Sequence, residues 1–232
     1  SHLRITFFVG ADTVRRMKDQ SCLHASVLKL FQDTFRIREF IRENKPRSAV
    51  MAGGGFIGLE TAENLRELGL DVTIVQRPKQ LMNPFDRDMA SLIHAQMRNH
   101  GVRLALGYGV EGFEEKDGGI DVLLGGHAPI RADMVILAIG VRPESALAEK
   151  AGLKLGVKGS ILVNDRMETS VSDIYAVGDA VQVIHSVTGE ETVIPLAGPA
   201  NKQGRIAADN ICGRDSRYPG SQGSSVIKVF DM

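Results

Sequence analysis

The segment from Ser48 to Val75 restricts this chain's fold more than any other part of it. Ser48-Ala49-Val50-Met51-Ala52 is a short apolar run of strand length, and it leads straight into Gly53-Gly54-Gly55-Phe56-Ile57-Gly58. The apolar spacing then changes. Leu59, Ala62, Leu65 and Leu68 recur on what reads as one face of a helix that stops near Gly69. Asp71-Val72-Thr73-Ile74-Val75 follows as a second strand. Strand, glycine turn, helix and strand within about 30 residues is the spacing of a parallel βαβ crossover, which predicts an α/β, Rossmann-like dinucleotide-binding domain.

Each glycine of that turn has a physical task. Gly53 allows the tight turn, Gly55 lets a pyrophosphate approach the backbone, and Gly58 lets helix and strand pack closely, with Ile57 lying between the last two. The diphosphate would sit at the helix N-terminus, where unpaired N–H groups and the dipole favour negative charge. An acid closing the second strand accepts hydrogen bonds from the adenosine ribose of NAD. This chain has Gln76 there, followed by Arg77 and Lys79. A cation beside a neutral amide suits the extra phosphate of NADP, while two solvated surface charges explain the same residues, so the coenzyme is written NAD(P)H, with NADPH expected to be accepted.

Upstream, residues 1–32 show no clear period and are left unassigned. From Asp33, a possible cap, Phe35, Ile37, Phe40 and Ile41 form an apolar stripe that Lys45-Pro46 ends. Downstream, a helix from about Arg87 to His100 precedes four short runs, Val102–Leu106, Gly109–Glu114, Ile120–Leu124 and Pro129–Ala132, all read as antiparallel strands. Met134 to Gly140 is wholly apolar and suits a sheet centre, so a β-meander replaces one crossover helix. Beyond Pro143 come a short helix over Ser145–Ala151, strands over Ser160–Val163 and Ile174–Val177, and a helix within Leu196–Ile211. The second of those strands delivers Gly178-Asp179 at its C-terminal end, where ligands of open α/β sheets bind; Asp179 could accept from sugar-like hydroxyls or simply cap a helix. The expected division is 33–145 for the NAD(P) domain, 146–218 for part of a second, FAD-type α/β domain, and 219–232 for a linker and a beginning strand.

Composition narrows the partners. Lys+Arg and Asp+Glu both total 28, so no global field draws the chain to nucleic acid or an anionic membrane. No apolar run reaches the roughly 18 residues of a membrane span, and no secretory signal is evident; a cytoplasmic chain is expected. The 25 glycines cluster at the ends of apolar runs, as nucleotide sites require. Cys22 and Cys212, the two cysteines, share no metal-ligand or C-x-x-C spacing. No metal site is expected.

These features, with Thr169–Asp179, Leu137-Ala138-Ile139-Gly140-Val141-Arg142-Pro143 and Ile194-Pro195-Leu196-Ala197-Gly198-Pro199-Ala200-Asn201, resemble the pyridine nucleotide-disulfide oxidoreductases, in particular the coenzyme A-disulfide reductase, NADH oxidase and persulfide reductase group. The resemblance runs from about Asp33 to Met232. It implies an FAD reduced by NAD(P)H, with electrons passed to a small-molecule disulfide, persulfide, peroxide or oxygen, and a homodimeric full-length parent. On this resemblance Phe56 matches an aromatic gate over the flavin, although a packed core aromatic reads equally from the residues. Glu60 matches the acid near the two rings, against a plain helix-surface carboxylate. Gly140 matches the glycine beside the bound nucleotide, Gly178 and Asp179 the flavin ribityl site, and Ala197 the backbone approaching the flavin ring, at a helix start whose dipole could stabilise an anionic flavin.

Departures from the family matter too. Its FAD-binding strand, first glycine turn and reactive cysteine have no match before Asp33, and Cys22 lacks the surrounding residues. Val226–Met232 matches only the first strand of a dimerisation domain. A fragment is therefore expected, with two other readings open: a non-catalytic NAD(P)-binding module, and a ferredoxin reductase-type flavoenzyme, which shares both nucleotide motifs and needs no thiol.

Overall fold

The computed structural model describes residues 25–27 and 31–232; Cys22 lies outside them. Two compact units emerge, one running to Val141 and taking in Ile227–Met232, the other Arg142–Val226.

The first unit is built on a five-stranded parallel sheet in the order β1-β8-β2-β3-β4, with β1 Ala25–Val27, β2 Ser48–Ala52, β3 Asp71–Gln76, β4 Arg103–Leu106 and β8 Met134–Leu137. Three helices, α1 Phe31–Asn44, α2 Phe56–Glu67 and α3 Arg87–Asn99, supply the crossovers. The central strands bury both faces. Ala49 and Met51 of β2 join Ile37, Phe40, Leu59, Leu65, Ile93 and Met97 of the helices in one apolar core, while Val50 and Ala52 point the other way. That second face is covered by an antiparallel meander, β5 Val110–Lys116, β6 Gly119–Leu124 and β7 His127–Ala132. Phe113, Ile120, Val122 and Leu124 close it off.

Several expectations for this unit need correction. β4 pairs parallel to β3 through Thr73–Arg103 to Gln76–Leu106 and is not part of the antiparallel set. A short alternating run does not encode direction, whereas the preceding α3 crossover imposes parallel pairing. Leu68 is 63% exposed. At about 100° per residue each three-residue step falls roughly 60° short of a full turn, so by Leu68 the sequence has moved to the far side of α2 from Leu59. Phe35, 52% exposed, likewise lies off the stripe of Ile37, Phe40 and Ile41, and α1 starts at Phe31 rather than Asp33.

Asp133 ties the sheet together at its entry edge. Its carboxylate accepts from the N–H groups of Arg47 (2.7 Å) and Ser48 (2.9 Å) and from Ser48 Oγ (3.0 Å), joining the starts of β2 and β8. Burial would raise this carboxyl's pKa, but those bonds and the charge of Arg47 outweigh it and hold the group below its ordinary value. The terminal residues fold back on the same unit. Val226–Phe230 forms no strand; Val229 and Phe230 are buried in the helical core, the Phe230 N–H donates to Glu63 Oε2 (2.8 Å) and its ring stacks on His100 at 3.9 Å.

In the second unit, α4 Ala146–Lys150 and α5 Ala197–Ile211 accompany a hairpin of β9 Val183–Ile184 and β10 Glu191–Thr192. Met167, Val181, Val183, Ala207 and Tyr218 form its core. The runs expected as strands, Ser160–Val163 and Ile174–Val177, make only isolated bridges such as Ile161–Val181 and Glu168–Tyr175. Ile174 and Val177 stay substantially exposed, so apolar character alone does not make a ladder without a partner strand. Among the described residues, no helix is long and apolar enough to cross a membrane.

Candidate dinucleotide site

Where β2 ends, the backbone is pinned from two sides. The Gly53 N–H donates to Val75 O (2.9 Å), and Ala138 N–H donates to Ala52 O (2.8 Å). Gly53 has φ +116°, and a Cβ there would stand 2.3 Å from Ala138 O. A Cβ on Gly58 would meet Gly53 O at 2.0 Å. Between them Gly55 is different: no heavy atom outside its chain neighbours lies within 4 Å of its would-be Cβ. It occupies the N-cap of α2 in an extended conformation, and no side chain caps the helix. The first-turn N–H groups therefore keep their donors beside an open space. That combination is suited to an anion.

The turn is braced from outside by a loop to which sequence reasoning assigned no role. Met82 N–H donates to Gly54 O (2.8 Å), and a Cβ on Gly54 would meet Leu81 Cδ2 at 2.4 Å. Both loop residues are fully buried. The Leu81 N–H donates in turn to His94 Nε2 (3.0 Å). Burial, then the charge of Arg98, holds the pKa of His94 below its ordinary value, which favours the neutral ring that this acceptor role needs. The apolar pair Leu81-Met82 inside an otherwise polar stretch was the available signal.

Gln76 closes β3 and turns its side chain back onto the turn, with Oε1 accepting from Gly54 N–H (2.9 Å). Arg77 and Lys79 follow and are exposed. Gly140, φ +110° with open space around it, comes two residues after the Ala138 that abuts Gly53. On α2, Phe56 is half-buried against the helical core, Ile57 is 37% exposed, and Glu60 is exposed on the helix surface.

The second unit brings together Gly178, Asp179 and the start of α5. Gly178 has φ +81°, and its would-be Cβ lies 3.9 Å from Ala200 Cβ in the first turn of α5. Its N–H donates to Oε1 of Gln203, a buried α5 residue absent from the sequence-level site (2.7 Å). Asp179 and Ala197 are exposed, and Asp179 makes no side-chain cap on its short helical turn. Among the described residues no group of His, Cys, Asp and Glu could hold a metal ion, and Cys212 is a free, exposed thiol.

Residues 25–204 match the sequence pattern of the pyridine nucleotide-disulphide oxidoreductases. The chain belongs to that family. Its similarity to other members of this oxidoreductase family is broad: it is 37% identical over 201 residues to the NAD(P)H sulfur oxidoreductase (CoA-dependent) of Pyrococcus abyssi, covering 86% of this chain and 45% of the relative. It is 38% identical over 206 residues to the NADH oxidase of Methanocaldococcus jannaschii, covering 88% and 46%. Among solved structures, reduced Bacillus anthracis CoADR-RHD superposes with a TM-score of 0.87 at 47% identity, over 97% of this chain and 39% of that one. The chain thus spans less than half the length of the curated relatives it matches.

Proposed function

We propose that this chain carries the nicotinamide-dinucleotide site and part of the flavin site of an FAD-dependent NAD(P)H oxidoreductase that reduces a small disulfide, persulfide, peroxide or oxygen. One observation carries the reading: the N-terminus of α2 opens on free space at Gly55, between two glycines that sterically tolerate no Cβ. The amides of Phe56 and Ile57 and the backbone of Gly55 hold the diphosphate, and Gly140 leaves the far side of the turn clear. Phe56 and Glu60, at the first residue and in the second turn of the same helix, flank the path of the nicotinamide. Glu60 supplies a carboxylate that orients the carboxamide.

In the second unit the free carboxylate of Asp179 suits ribityl hydroxyls, and the start of α5 at Ala197 offers amides to the flavin ring. Bound flavin supplies the two-electron acceptor for the nicotinamide hydride, and the protein orients the reacting partners. Because the chain spans under half of its relatives' length, a nucleotide-binding role without turnover is the second reading.

Calorimetric titration of the chain with NADPH and NADH tests the first step, with one site per chain expected and that heat absent in Gly55→Ala. No heat with either coenzyme refutes the dinucleotide reading. A yellow protein bleached by NAD(P)H supports the flavoenzyme, whereas a colourless one that still binds coenzyme supports the second reading.

A further inference from the structure

We infer that Gln76, Arg77 and Lys79 form a pocket for a 2′-phosphorylated adenosine ribose, so that the chain takes NADPH in preference to NADH. This rests on the dinucleotide reading above. The adenosine ribose of a dinucleotide held at the glycine turn falls at the C-terminal end of the second strand of the βαβ unit, which here is Gln76. A free ribose 2′-hydroxyl is best met there by an acceptor, ideally a carboxylate. Gln76 carries no charge, and the geometry occupies its acceptor as well: Oε1 receives the Gly54 N–H at 2.9 Å. A backbone N–H can only donate, so this bond sets the amide orientation and leaves Nε2, a donor, for anything else nearby. The Gln76 backbone is fixed separately, its main-chain carbonyl accepting from the N–H groups of Gly107 (2.9 Å) and Tyr108 (3.1 Å), so the side chain starts from a held position.

The cations beside it are placed by the same edge of the sheet. The Arg77 stem runs past Gly109, whose would-be Cβ lies 3.9 Å from Arg77 Cγ and Cδ, and Lys79 Cγ lies 3.6 Å from that of Gly107. The glycine-bearing turn after β4 therefore gives both side chains room to lie along it. Arg131, Arg166 and Arg217 elsewhere in the chain are matched to carboxylates; Arg77 and Lys79 form no such pair among the described residues. Two exposed cations without a carboxylate partner among the described residues thus lie within three residues of the strand end where the two coenzymes differ by one phosphate. A dianion satisfies these cations and the Gln76 amide donor, whereas a hydroxyl leaves them without an acceptor of matching charge.

The test compares ligands that differ only in that phosphate, using the 232-residue chain: NADPH against NADH, and adenosine 2′,5′-bisphosphate against AMP, by calorimetry at low and moderate salt. The phosphorylated member of each pair is expected to bind at least about tenfold more tightly, an advantage that shrinks as salt screens it. Arg77→Ala and Lys79→Ala each reduce that ratio several-fold. Gln76→Glu, which keeps an acceptor for Gly54 but adds a negative charge, inverts it. Gln76→Ala weakens NADH and NADPH alike, because it loosens the turn they share, and thermal melting of each variant separates a lost site from a lost fold. Equal affinities, tighter NADH, or a ratio unmoved by Arg77→Ala and Lys79→Ala would overturn the inference while leaving the dinucleotide reading intact. Absence of binding by both coenzymes overturns both.

Discussion

Replacing Gly53 and Gly55 separately by alanine should split folding from binding within three residues of chain. At Gly53 the backbone has φ +116°, a conformation that costs a residue with a Cβ about 1–3 kcal/mol. The added methyl would also lie 2.3 Å from Ala138 O and 2.7 Å from Ala138 C, so the end of β8 must retreat, and overpacking of this kind costs a further ~1–3 kcal/mol. Together these give about 2–6 kcal/mol, a large share of the roughly 5–15 kcal/mol that holds a domain folded. Gly55→Ala meets no atom within 4 Å and keeps an extended backbone; as an N-cap change it should cost less than about 1 kcal/mol.

Urea unfolding followed by circular dichroism reads the difference, and amide exchange at Gly53 and Ala138, whose N–H groups bond Val75 O and Ala52 O, localises it. Gly53→Ala should unfold at clearly lower urea, with those two amides losing protection. Gly55→Ala should unfold near the parent midpoint yet give no heat with NADPH, because its methyl fills the diphosphate space. An unshifted midpoint in Gly53→Ala, or equal destabilisation by both, would refute the steric account of the turn. Undiminished NADPH binding by Gly55→Ala would refute the placement of the diphosphate.

Two further outcomes depend on pH. Asp133 has a folded pKa below its ordinary 3.8, so its contribution is present above that value and is lost as pH falls through the folded pKa; Asp133→Ala should cost about 1–2 kcal/mol near neutrality, at the lower end because the site is partly exposed. In urea titrations the gap between parent and variant should close below about pH 4, and a constant gap contradicts the clamp. His94 also has a depressed folded pKa, below the ordinary 6.5, so the stability it lends is complete above that value and disappears as pH falls through the lower folded one. His94→Gln keeps an uncharged acceptor for Leu81 N–H, and its stability should decline less than the parent's between about pH 7 and 5; parallel decline in both would dismiss the bond from His94 to the loop.

Much of the βαβ unit was legible because its signals are local. A positive φ at Gly53, the bare approach at Gly55 and the alternation of Ala49 and Met51 against Val50 and Ala52 are properties of a few neighbouring residues, so residue type and spacing express them directly. The same holds for the apolar runs of β3 and β8.

What neighbours cannot encode was misread or missed. The direction of β4 depends on which strand α3 delivers it to. Val229 and Phe230 look like a strand in isolation, yet Glu63 and His100, far away along the chain, draw them into the helical core. Leu81, Met82 and His94 brace the glycine turn only because α3 returns His94 beside it. The amino-acid sequence on its own determined that a glycine turn joins strand to helix here and that a dinucleotide suits it. Tertiary structure decided which outside residues hold that turn, and that the Gln76 side-chain oxygen turns back onto Gly54, because a hydrogen bond between distant residues exists only once packing has excluded their other partners.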